Sequence, residues 1–83
     1  MADLVRTPEQ LGSVVRRARK KQGLTQAALG KVAGVRQETI SIIETGNPAA
    51  KLETLLAVFV ALDLDLRIDP RSKGGGVDLE EIF

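Results

Sequence analysis

The stretch LTQAALGKVAGVRQETI, residues 24–40, carries two short apolar-periodic runs separated by a turn built on AGV. The first run starts at Thr25, a good N-cap, and reaches about Val32 with Ala28, Leu29 and Val32 inward before Gly34 closes it. The second covers about 36–45 and ends at Gly46. Each run has a glutamine near its start, Gln26 and Gln37. Two helices of roughly eight to ten residues, joined by a short turn containing Gly, match a helix-turn-helix unit. In such a unit the first helix meets the phosphate backbone and the N-terminal part of the second enters the major groove.

On a wheel of about 100° per residue, Gln37, Glu38, Ser41 and Thr45 share a sector about 100° wide, while Ile40 and Ile43 point the other way. The outward sector is polar and mostly uncharged, as a base-reading surface can be. Gln37 is the leading base reader, because a glutamine amide can bond adenine N6 and N7 together. Glu38, Ser41 and Ile42 complete the base-reading set. Glu38 either accepts from a cytosine N4 or is merely tolerated at the groove margin. Ile42 either touches a thymine methyl or covers the edge of the core. Thr25 and Gln26, at the start of the first helix of the unit, fall where helix N–H groups favour a phosphate. Gln26 could also brace the Gln37 side chain. Arg36 is read as a phosphate contact first and a guanine contact second. Thr45, Gly46 and Asn47 form the following loop, where backbone N–H groups commonly meet phosphate, and Lys51 adds a point charge.

Working outward, TPEQ at residues 7–10 opens an earlier helix: Thr7 as N-cap, Pro8 at N1 and Gln10 at N3, as in a capping box. Leu11, Val14, Val15 and Ala18 form its apolar stripe, and Gly23 ends it after Arg19, Lys20 and Lys21. A fourth helix covers about 52–62, with a broad apolar face of Leu55, Leu56, Val58, Phe59 and Leu62. The period then changes to two: Leu64, Leu66 and Ile68 alternate with Asp65, Arg67 and Asp69 until Pro70, which reads as a half-buried strand. Its only candidate partner within the chain is the short DLVR at residues 3–6. Pairing with the same strand of a second chain is therefore expected, giving a homodimer. Residues 1–69 form one DNA-binding and dimerisation domain on this reading, and residues 70–83 a flexible tail. In that tail Leu79, Ile82 and Phe83 are apolar residues on a tether, suited to a pocket in a partner protein.

Composition narrows the function. The chain has 83 residues and no Cys, His, Trp or Tyr, so the usual metal ligands, general base and thiol nucleophile are missing. Neither an enzyme nor a cofactor or metal is expected. No apolar run of about 18 residues could span a bilayer, and the N-terminus lacks the apolar region of a secretory signal, so the cytoplasm is the expected location. The net charge of +1 hides an asymmetry: residues 1–36 hold eight basic and two acidic residues, and residues 63–83 hold three basic and six acidic. A basic front and an acidic end suggest two partners. Arg16, Arg17, Lys20 and Lys21 form either a solvated face or a source of long-range steering toward DNA.

Residues 11–62, with the pattern L-T-Q-x-x-L-x-x-x-x-G-V-x-x-x-x-I-x-x-I-E-x-G, resemble the lambda-repressor-like (Cro/C1, XRE-type) helix-turn-helix family. Within it the chain looks most like the HipB-type antitoxins, the Y4mF-like group included, through RTPEQLGSVVRRARKKQGLTQ and through LDLRI directly after the fourth helix. The resemblance implies an all-α bundle of four to five helices, with one C-terminal β-strand pairing across a homodimer. It also implies a repressor that binds operator DNA upstream of its own operon and holds a HipA-like kinase toxin. It further implies that Arg19 and Glu44 form a partly buried structural ion pair, and that the tail contacts the toxin or invites proteolysis. A stand-alone phage-type repressor, and an interaction module without DNA binding, remain alternatives.

Overall fold

The computed structural model describes residues 3–47 and 49–71. Over that range four helices follow one another: α1 (Pro8–Lys21), α2 (Gln26–Ala33), α3 (Gln37–Glu44) and α4 (Leu52–Ala61). The starts of α1 and α2 are set by the expected caps. The Thr7 hydroxyl accepts from the Gln10 N–H at 3.1 Å, and the Thr25 hydroxyl accepts from the Ala28 N–H at 3.0 Å. Gln10 reaches back as well, but its Oε1 accepts from the Arg6 N–H, one residue before the cap. Between α2 and α3, Gly34 takes φ +75°, a left-handed conformation that a side chain would strain, and this sends α3 off at the angle the unit needs.

One core joins all four helices. Val15 of α1, Leu29 of α2, Ile40 and Ile43 of α3, and Val58, Phe59 and Leu62 at α4 are buried, with Leu11, Ala18 and Leu55 packed at the margin. Two inward assignments fail. Val32 is 64% exposed, because α2 turns Leu29, Gly30 and Ala33 inward. Those three centre its buried face about 100° from Val32, and a two-turn helix covers no wider arc. Leu56 is 41% exposed, and with Leu52 and Val60 it forms an outer stripe at four-residue spacing on α4.

Among the described residues there is no strand. Leu64 is anchored, its N–H donating to the Phe59 carbonyl at 2.8 Å, but Leu66 and Ile68 are 53% and 91% exposed. A lone strand has no ladder to join, so the alternating pattern at residues 64–69 stays unpaired in the single chain. Residues 72–83, and with them Leu79, Ile82 and Phe83, lie outside the described residues.

Candidate nucleic-acid interface

The position of α3 depends on a close crossing with α1. A Cβ placed on Gly12 would lie 2.5 Å from the Ile43 carbonyl oxygen and 2.8 Å from that of Glu44, so only glycine lets the two backbones approach this far. The crossing brings Arg19, two turns further along α1, against the end of α3. Its Nε donates to Glu44 Oε2 at 2.6 Å, its Nη2 donates to Glu44 Oε1 at 3.0 Å, and its Nη1 donates to the Leu24 carbonyl at 2.8 Å. The fork is two-pronged and the side chains are only 11% and 4% exposed.

Gln26 closes the arrangement. Its Nε2 donates to Glu44 Oε1 at 3.2 Å, so the start of α2 is tied to the end of α3. Burial pushes the Glu44 carboxyl up, but the hydrogen bonds from Arg19 and Gln26 and the charges of Arg19 and Arg16 outweigh it, and the carboxyl sits below its ordinary value. The Arg19 guanidinium is held above its ordinary value, first by its hydrogen bond to Glu44. Gln26 thus braces Glu44, and among the described residues it makes no hydrogen bond to Gln37. The Arg19–Glu44 pair is the one the resemblance implied; sequence reasoning missed Gln26 as its third member. It also passed over Gly12, although an isolated glycine inside a helical run is the signal of close packing.

The rest of the surface follows from this frame. Gln37 and Glu38 are exposed in the first turn of α3, Ser41 is half-buried one turn on, and Ile42 is 40% exposed beside it. Arg36 is the exposed N-cap of α3 and makes no capping hydrogen bond through its side chain. At the start of α2 the Thr25 hydroxyl is used only as an acceptor, which leaves its O–H to donate.

The loop after α3 corrects one expectation. The N–H groups of Thr45, Gly46 and Asn47 donate to the carbonyls of Ser41, Ile43 and Ile42 at 3.0, 3.1 and 3.2 Å. The Thr45 hydroxyl also donates, to the Ile42 carbonyl at 2.8 Å, and Gly46 is buried. Finishing the helix consumes the donors that a phosphate would need. Still open to an anion are the Asn47 side-chain amide, whose oxygen already accepts from the Ala49 N–H at 2.9 Å, the exposed Lys51, and the first N–H groups of α4, which no side chain caps. Of the basic cluster on α1, Arg17 is engaged with Asp3 at 3.1 Å on the exposed surface. Among the described residues no group of His, Cys, Asp and Glu could hold a metal ion, and no helix is long and apolar enough to cross a membrane.

Two short helices locked at a glycine turn, the second presenting a polar face, carry a known family signature. Residues 15–68 match the helix-turn-helix family HTH_3. The chain belongs to this family. It is similar to y4mF of Sinorhizobium fredii, described as an uncharacterized HTH-type transcriptional regulator, at 38% identity over 68 residues, covering 82% of this chain and 90% of that one. It is similar also to the antitoxin HipB of Escherichia coli K12, at 31% identity over 62 residues, covering 75% of this chain and 70% of that protein. Among solved structures, a chain of a HipA–HipB–O2–O3 complex superposes with a TM-score of 0.78 at 27% identity, covering 86% of this chain and 100% of that chain. A chain of a HipB–O4 20mer complex superposes with a TM-score of 0.79 at the same 27% identity and coverage.

Proposed function

We propose that this chain is a sequence-specific, operator-binding transcriptional repressor that serves as the antitoxin of a HipBA-like type II toxin–antitoxin module. It binds DNA as a homodimer, represses its own operon and neutralises a HipA-like kinase toxin, by binding and not by catalysis. Its place of action is the cytoplasm, at the nucleoid. The observation that carries the DNA half is the face of exposed Gln37, Glu38 and Ile42 with half-buried Ser41, on a helix tied in place by the Arg19–Glu44–Gln26 latch. A base-reading surface must be both exposed and pre-organised, and this one is. The toxin half is supported by the likeness to HipB, one of whose matching structures also contains HipA.

The testing measurement is fluorescence anisotropy of the purified protein on its own upstream DNA, at two salt concentrations, against a scrambled duplex. Tight binding confined to the upstream sequence, weakening steeply as salt rises, is the expected result. Equal weak binding to both duplexes would sink the repressor reading. Co-expression with a neighbouring kinase-like gene tests the toxin half: a stable co-purifying complex is expected, and its absence removes the antitoxin role while leaving the repressor intact.

A further inference from the structure

The three isoleucines of α3 have different surroundings. Ile40 and Ile43 are 0% and 2% exposed, whereas Ile42 is 40% exposed. The partly buried apolar side chains packed against the core include Val35 before α3 and Ala50 after it, and Ile42 is not one of them. On a wheel of about 100° per residue with Gln37 at zero, Ile40 and Ile43 fall at about 300° and 240°, so the outward direction is about 90°. Glu38 lies at about 100°, and Ser41 and Ile42 flank it at about 40° and 140°. The outward face thus carries one aliphatic side chain among polar ones. The backbone beneath it is tied down: the Ile42 carbonyl accepts from the Thr45 hydroxyl at 2.8 Å and from the Asn47 N–H at 3.2 Å.

On an ordinary surface a single exposed isoleucine needs no explanation. On a helix that enters the major groove it does. The base edges there offer acceptors at guanine N7 and O6, adenine N7 and thymine O4, and amines at adenine N6 and cytosine N4. Against any of these an isoleucine strips water from a polar group and returns no hydrogen bond. One apolar group projects into the groove, the C5 methyl of thymine. An aliphatic side chain on this face therefore has one favourable target.

We propose that Ile42 packs on the C5 methyl of a thymine in each half-site and is a specificity-determining residue for the operator. This rests on the repressor reading above, and goes further by naming the chemical group that is read. A methyl group withdrawn from water is worth about fourfold in binding, so two half-sites together give about fifteenfold. The contact displaces no counterion, so unlike a phosphate contact it leaves the salt dependence of binding untouched. Cytosine lacks the methyl, and 5-methylcytosine carries it at the same ring position. Methylating a cytosine placed there therefore restores the contact.

The test is anisotropy of the full-length protein on its upstream duplex with each thymine replaced in turn by uracil, which removes the methyl and nothing else. The wild type is expected to bind about fourfold more weakly at one replacement in each half-site, and about fifteenfold more weakly with both. Ile42→Ala leaves the core intact, so it should melt no lower than the wild type and keep the salt slope. It should also be indifferent to the same uracil replacements. Placing 5-methylcytosine there instead of cytosine should strengthen binding by the wild type and not by Ile42→Ala. A wild type indifferent to uracil at every thymine overturns the proposal without recourse to any variant. So does an Ile42→Ala protein that stays as sensitive to uracil as the wild type. Either result keeps the repressor reading, whereas failure of the wild type to bind the unmodified upstream duplex overturns that reading and this inference with it.

Discussion

Arg19 and Glu44 form a nearly dry, two-pronged ion pair that holds α1, α3 and, through Gln26, α2 in one geometry. Removing one partner strands a buried charge, so Arg19→Ala is expected to cost about 3–5 kcal/mol in denaturant unfolding. The pH dependence follows from the lowered Glu44 carboxyl. Its contribution is fully present above the ordinary value of 4.5 and is lost as pH falls through the lower folded value. Glu44→Gln, less stable at neutral pH, should therefore lose less stability than the wild type between pH 4.5 and strong acid. Gln37 is the converse case, an exposed side chain that holds nothing in the fold. Gln37→Ala should leave the melting temperature unchanged and weaken operator binding by about 1–3 kcal/mol, with specificity relaxed at one base pair. The exposure of Gln37 was legible from its position on a helical wheel, whereas the brace made by Gln26 needs two residues 18 apart in sequence to meet.

At the scale of elements, the caps and turns were readable because they are local. Thr7, Thr25 and Gly34 act within three or four residues of themselves. Gly12 acts at long range, and its effect runs against helix propensity. Alanine is the better helix former by about 1 kcal/mol, yet Gly12→Ala should destabilise the protein by about 1–3 kcal/mol by forcing α1 off α3. An increase in melting temperature would show that the crossing relaxes freely. The end of α4 offers the opposite case: Asp63 sits at φ 59°, a left-handed conformation without the usual glycine. Asp63→Gly is expected to raise stability by up to about 1 kcal/mol. The loop after α3 shows how an element can overrule a motif. Its sequence suits phosphate binding, but the N–H groups of Thr45, Gly46 and Asn47 are spent on closing the helix.

At the scale of the whole molecule, α1 to α4 make one small core, and the chain leaves apolar surface on α4 and on residues 64–69 uncovered. On the proposed function, with one phosphate contact from Lys51 of each protomer, Lys51→Ala should lower the slope of log affinity against log salt by about 1.8, equally for operator and scrambled DNA. A two-fold dimer should also require half-sites about 34–36 Å apart, or a multiple of that, which operator footprinting would reveal. Leu66→Asp should yield monomers in sedimentation and weaken operator binding.

The sequence by itself determined the helix-turn-helix: its caps, its glycine turn, the inward isoleucines and the outward glutamine all follow from spacing within a turn or two of helix. It also determined the period-two character of residues 64–69, though not what they pair with. Only the tertiary structure decided that Val32 faces out, that Gln26 serves Glu44, that Gly12 lets two backbones meet, and that the N–H groups of Thr45, Gly46 and Asn47 are spent on the end of α3. The physical reason is range. Helix periodicity and capping are set by neighbours in sequence, whereas the burial arc of a short helix and the fate of a polar group depend on what other elements bring alongside.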